Sequence, residues 1–309
     1  MAGIHAAAGF TFQNRVALNL ILEAVLTKTY RGFAYEKTIQ LNPRNLGDTK
    51  SIDIELKTQN DRQYSIDTNG YEVKRGENIN RLGDIEAVIF DLWKIESYGD
   101  QKFDNHILIH ATIAHGELAS MYSDSKRKKL IKNTVEKKIR SHIADSLTNP
   151  NQRKISRIYN RDWKEPVEKS VCELCKKLKL QFMSRESSLS LDYSDLDFRN
   201  IALTEKMIRR LNLGLDGIEL KAKEIYNAMV CYLHSMTEKA AGETQGNLSA
   251  RGVQKSTPTI KLVFEGFLLA NGSLYDKFRN IERAELARKI SDEFHVPINE
   301  FEHIVDTRF

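Results

Sequence analysis

Proline is scarce in this chain, cysteine scarcer, and no apolar run approaches the roughly 20 residues needed to cross a bilayer. With five prolines in 309 residues and an even spread of residue types, neither a disordered nor a fibrous chain is expected. Three cysteines, an odd number without framework spacing, exclude a disulfide scaffold and suit a reducing compartment. The opening Met1-Ala-Gly-Ile-His5 has no basic stretch followed by an apolar one, so a soluble, cytoplasmic protein without a membrane partner is expected. Net charge is small for the length, at +5, so only its local distribution can argue for a nucleic-acid partner. What is present is globular: 41% hydrophobic and 29% charged residues, in a length that allows one large domain or two ordinary ones.

Periodicity orders the first third. Thr11 to Thr29 places Phe12, Val16, Leu20 and Val25 at helical spacing, with enough further apolar residues to predict a largely buried helix. Phe33 to Leu41 reads as a strand, Asn42-Pro-Arg-Asn-Leu-Gly47 as a turn, and Ser51 to Thr58 as a second strand. Gln59 to Arg62 is a polar turn, and Gln63 to Arg75 is extended with an interruption at Thr68-Asn-Gly70. A helix over Asn80 to Ile95 and a strand over Asn105 to Ala114 follow. That alternation predicts a mixed sheet flanked by helices. Beyond Gly116 helical periodicity dominates, near 118–147, 166–182, 203–239 and 273–294, with an exposed loop over 240–252 and no internal repeat.

Chemistry concentrates in Gly70-Tyr-Glu-Val-Lys-Arg-Gly-Glu77. Glu72 and Lys74 are two apart in a strand and so share a face, as do Asp53 and Glu55 on the strand before. Adjacent strands could therefore gather carboxylates and an ammonium at one spot. Such a set suits a hard divalent cation and a phosphodiester. The plainer account is a cross-strand ion pair, which exposed strands form routinely.

Helix, strands bearing Asp53 and Glu72-Val-Lys74, helix, strand: this order resembles the PD-(D/E)XK nuclease superfamily. Asp53 matches the first acid, Glu72 the second and Lys74 the lysine, and Ile52 stands at the prolyl position. Asp67, nearer the triplet, is the second choice for the first acid. Ala8-Gly-Phe-Thr-Phe-Gln13 is similar to the Gly-Phe-x-(Tyr/Phe)-Gln opening of nuclease domains in bacterial antiphage effectors, including CBASS endonucleases bearing a SAVED domain and Lamassu nucleases. Those domains commonly carry Gln-x-Lys where this chain has Glu72-Val-Lys74. The resemblance spans roughly the first 115 residues of the chain.

It implies a restriction-endonuclease-like α/β core over 1–116 and an α-rich region over 117–309 for nucleic-acid contact, partner binding or oligomerisation. It also implies Mg²⁺, for which Mn²⁺ can substitute, held by Asp53, Glu72 and the Val73 carbonyl. Lys74, its pKa lowered by the metal, would orient or deprotonate water, and Gln13 would support the site. The alternative for Gln13 is a bond to nearby backbone. Glu55 reads as solvated rather than liganding. The implied role is a DNA endonuclease of antiphage defence, activated by a protein partner such as an ATPase or sensor, or by homo-oligomerisation. The competing readings are a non-catalytic DNA-binding or assembly subunit with the same fold, and an RNA nuclease.

Two further features lie beyond residue 117. Lys126, Arg127, Lys128, Lys129, Lys132, Lys137, Lys138 and Arg140 fall in fifteen residues with one acid, Glu136, a net charge of +7. Anchored by Leu130, Val135 and Ile139, such a helix could neutralise phosphates, and Arg153, Lys154, Arg157 and Arg161 could extend the track. Cys172-x-x-Cys175 and Cys231-x-x-His234 would suit a Cys₃His zinc site. Both pairs sit in apolar helical periodicity without a knuckle, so buried thiols packing as small hydrophobes is the favoured account.

Overall fold

The computed structural model describes residues 2–41, 49–60, 65–148, 164–183, 194–212, 218–219, 221–231, 233 and 280–297. The elements are α1 (Ala2–Leu26), β1 (Tyr30–Gln40), β2 (Thr49–Asn60), β3 (Ser65–Lys74), a 3-10 turn (Glu77–Asn80), α2 (Leu82–Tyr98) and β4 (Asn105–His110), then α3 (Gly116–Ser120), α4 (Asp124–Thr148), α5 (Lys164–Lys177), β5 (Leu178–Phe182), α6 (Asp195–Leu211) and α7 (Asn280–Phe294). Residues 221–231 are also helical. The five strands form one mixed sheet in the order β1-β2-β3-β4-β5. No helix among the described residues is long and apolar enough to cross a membrane.

Contacts divide the chain into two compact units: one comprises residues 1–36, 54–67 and 184–309, the other 37–53 and 68–183. This differs from a boundary after residue 116. The reason lies in what β4 and α2 need. β3 pairs with β4 in parallel and β4 with β5 in parallel, and a parallel pair requires a crossover rather than a tight turn. α2 makes the first crossover and α3 to α5 the second, so residues 117–183 complete the unit that holds β4.

In that unit α2 turns Ile85, Ile89, Leu92 and Trp93 into an apolar cluster with Ile52 and Leu108 of the strands and Val135 and Leu174 of α4 and α5. Trp93 is fully buried, and its indole N–H donates to Ser170 Oγ on α5 at 2.9 Å. In the other unit α1 packs against α6, and α7 packs on α6. α6 begins with a capping box: the Ser194 side chain accepts from the Asp197 amide, and the Asp197 carboxylate accepts from the Ser194 amide. It ends at Asn212 in left-handed backbone, φ 46°.

Several expectations change. β3 runs unbroken through Thr68-Asn-Gly70. Gly70 serves close packing instead of a turn, since a Cβ there would lie 3.0 Å from the Phe103 ring. The helix expected over 166–182 ends at Lys177, and Leu178-Lys-Leu-Gln-Phe182 is a strand, its alternation matched to the open edge of β4. The segment expected near 118–147 is two helices, and the strand expected to Ala114 stops at His110. α6 starts at Asp195, earlier than the expected 203, because its cap lies there. The expected turn over 42–47, part of that over 59–62, and the loop over 240–252 fall outside the described residues.

Candidate functional site

Strand geometry brings the predicted residues together. Glu72 and Lys74 project from one face of β3, and Lys74 Nζ donates to Glu72 Oε2 at 3.0 Å. From β2, Asp53 Oδ2 lies 3.8 Å from Lys74 Nζ and accepts the Val73 amide hydrogen at 2.7 Å. Amides of successive strand residues point to opposite edges, and Lys74 O accepts from Ala111 N on the β4 side. Val73 therefore turns both its N–H and its carbonyl toward β2 and Asp53. Asp67, the second choice for the first acid, instead accepts from Asn60 Nδ2 at 3.1 Å.

Two carboxylates here share one ammonium. Their side chains are 21% and 12% exposed for Asp53 and Glu72, against 34% for Lys74, so the acids are the more desolvated partners. Burial pushes the Glu72 carboxyl up to about 8, helped by the Asp53 charge and only partly offset by Lys74. Burial also raises Asp53, although Lys74 and the Val73 amide pull the other way. Burial alone would lower Lys74; the charges of Glu72 and Asp53 outweigh it and leave the ammonium raised. With protein charges alone around it, Lys74 thus holds its proton; the expected lowering was ascribed to a bound metal's charge.

Sequence reasoning missed the flank of this site. Asp91 on α2 accepts from Lys94 at 2.9 Å and from Lys50 at 3.0 Å, and its charge acts on both Glu72 and Lys74. Burial works against the Asp91 anion, but the two lysines prevail and hold its carboxyl below the usual range. Asp91-x-x-Lys94 is a one-turn helical pair and was legible as such.

Asp53, Glu72 and the Val73 carbonyl are hard oxygen donors, and burial raises both carboxyls against the pull of Lys74. Donors of this type are those that Mg²⁺ takes.

Other predicted residues lie elsewhere. Gln13 is buried in α1, belongs to the other compact unit, and its Nε2 has no hydrogen-bond partner among the described residues. Glu55 is buried rather than solvated, with Lys57 Nζ 3.8 Å from its carboxylate. On α4, Lys126, Lys128 and Lys129 are exposed. Arg127 pairs with Asp124 at 2.5 Å and Lys132 with Glu168 at 3.4 Å, while Ile131, Val135 and Ile139 bury the opposite face. Arg153, Lys154, Arg157 and Arg161 lie outside the described residues.

Cys172 and Cys175 are half-buried on α5, and burial raises the Cys175 thiol, with Cys172 adding to the effect. Cys231, expected to be buried, is exposed because its helix turns Met229 and Leu233 inward instead; His234 lies outside the described residues. Among the described residues no group of three or more His, Cys, Asp and Glu side chains is arranged to hold a metal ion.

No protein-family model matches this chain, and no curated protein matches it. Among solved structures, a Moraxella osloensis Cap4 SAVED/CARF-domain containing receptor aligns over 94% of this chain and 69% of its own, at 11% identity and a TM-score of 0.37. A likeness at that level establishes neither fold family nor activity.

Proposed function

We propose that this protein is a Mg²⁺-dependent endonuclease with a restriction-endonuclease-like core of PD-(D/E)XK type, acting on DNA. The observation that carries the reading is the convergence of Asp53, Glu72 and Lys74, with Lys74 Nζ 3.0 and 3.8 Å from the two carboxylates. Buried acids pushed upward beside a single lysine are unfavourable for a structural ion pair and typical of functional sites.

Asp53, Glu72 and the Val73 carbonyl would hold the cation. When bound, it supplies Lewis-acid charge to a phosphoryl oxygen and lowers the pKa of water. The chain's own residues do the rest. The Val73 amide fixes the orientation of Asp53 through its 2.7 Å bond. Lys74, protonated and about one-third exposed, presents its ammonium to the charge that develops on the phosphate. The Asp91 carboxylate, held by Lys50 and Lys94, keeps negative potential on Lys74 and so helps it remain charged.

Nucleic acid would be drawn by the exposed Lys126, Lys128 and Lys129 of α4. Replacing all three with glutamine should weaken DNA binding irrespective of sequence and flatten its salt dependence by about 0.9 per lysine. The defence role, with activation by a protein partner or self-association in the cytoplasm, rests on the likeness of Gly9-Phe-Thr-Phe-Gln13 to antiphage nuclease domains. The deciding experiment incubates the protein with plasmid and with structured RNA, in Mg²⁺ or EDTA. Plasmid cutting that needs Mg²⁺ and is lost in Lys74→Ala supports the reading. Cutting of RNA alone moves the substrate to RNA, and binding without cutting of either makes the chain an assembly subunit.

A further inference from the structure

Paired residues on adjacent strands carry their side chains to the same face, and Lys74 pairs with His110 on β4, which pairs with Phe182 on β5. The three form one row across the last residues of three parallel strands, the end of an α/β sheet where ligands are usually met. At about 4.8 Å per strand the Phe182 backbone stands about 10 Å from that of Lys74, the reach of neighbouring nucleotides.

This end of the row carries unusual apolar exposure. Phe182 is 49% exposed, Tyr122 50% and Ile113 80%, three of the five large hydrophobics exposed among the described residues. The two aromatic rings are nevertheless fixed. His110 is almost fully buried, and its Nδ1 faces the Thr112 carbonyl at 2.8 Å. A carbonyl only accepts, so Nδ1 carries the hydrogen and, in the neutral ring that burial favours, Nε2 accepts from Tyr122 O–H at 2.6 Å. The Tyr122 ring stands edge-on to the imidazole, 5.9 Å between centroids at 83°, and Phe182 leans on the same ring at 5.7 Å. One buried imidazole thus braces two half-exposed aromatic faces, which lose little freedom when something stacks on them.

We propose that Tyr122 and Phe182 are a stacking platform for an unpaired base of the strand whose phosphate Lys74 addresses. The inference rests on the nuclease reading and deepens it by naming the substrate form. Aromatic faces beside positive charge are the combination that binds single strands, and exposed Lys126, Lys128 and Lys129 follow Tyr122 in sequence on α4. An apolar protein partner would not call for that charge. A base inside a duplex has both faces covered by its neighbours, so the platform selects a bulged, flipped or single-stranded nucleotide.

The test measures binding of the full chain, in EDTA, to a DNA duplex and to the same duplex with one central unpaired adenine. The wild type should favour the bulged duplex about tenfold. Tyr122→Ala and Phe182→Ala should each remove the preference while leaving affinity for the intact duplex unchanged. Phe182→Leu, which keeps apolar bulk without a flat face, should do the same, whereas Phe182→Tyr should retain it. Equal affinity in the wild type, or a preference that survives both alanine variants, overturns the platform. A protein that cuts plasmid but shows no preference loses the platform and keeps the nuclease reading. A protein that cuts nothing, yet loses its preference in Phe182→Ala, keeps the platform and loses the nuclease.

Discussion

Two buried carboxylate clusters, one in each compact unit, differ in how completely they are neutralised. Asp197 in the α1–α6 unit is inaccessible to solvent and saturated. Its Oδ2 accepts from the Ser194 amide at 2.8 Å and the Ser194 hydroxyl at 2.7 Å, while Oδ1 accepts from the Tyr226 hydroxyl and lies 3.0 Å from Arg15 Nε. Around it Asn19 Nδ2 bonds Asn200 Oδ1 at 2.8 Å, and Asn200 Nδ2 bonds the Arg15 carbonyl at 2.9 Å. Asp53 and Glu72 in the other unit have, among the described residues, one ammonium and one backbone amide between them. A buried carboxylate with its full set of donors serves the fold, whereas two desolvated carboxyls with few donors are the pair proposed above to hold a cation.

The sharpest way to break this contrast is Lys74→Ala. Cleavage in Mg²⁺ should fall about a thousandfold while circular dichroism and melting show a folded protein. Unchanged cleavage would remove Lys74 from the chemistry and make its ion pairs ordinary. The mirror experiment, Asp197→Ala, should cost about 3 kcal/mol in urea unfolding, because it leaves Arg15, Tyr226 and the α6 cap without their acceptor. A loss well under 1 kcal/mol would mean the hub is replaceable by water.

Acidity separates the clusters in another way. The folded Glu72 carboxyl sits at about 8, above its reference 4.5, so its contribution to stability is fully present below 4.5 and is lost as pH rises through about 8. In EDTA the melting temperature should therefore fall across that window, Glu72→Gln should flatten the fall, and Mg²⁺ should raise the melting temperature more at pH 8 than at pH 5. An identical pH profile for wild type and Glu72→Gln would refute the desolvated pair. The smallest effect is expected of Tyr226→Phe, which removes one donor to Asp197 and should cost about 1 kcal/mol by the same unfolding measurement.

Legibility in the sequence followed the range of the interaction. The i, i+2 rule found Glu72 and Lys74 because strand alternation is local, and helical periodicity found α1 and α2 because each has a one-sided or fully buried apolar surface. The same local rule misjudged Thr68-Asn-Gly70, where glycine answers to Phe103 more than thirty residues away, and it read Leu178–Phe182 as helix because β4 was needed to reveal the strand. The S-x-x-D signature of Ser194 and Asp197 was readable but went unread, and Lys50 had no signal at all, since its partner Asp91 lies on another element.

By itself the sequence determined the alternation of helix and strand, the side-chain face shared by residues 72 and 74, and the dense positive charge at the start of α4, all of which depend only on bond geometry and spacing along the chain. Tertiary structure alone decided that Asp53 meets Lys74 across a strand boundary, that residues 117–183 complete the sheet of the second unit, and that His110 braces Tyr122 and Phe182. Those pairings join residues far apart along the chain, and only burial of a common core selects which of the many possible partners are brought together.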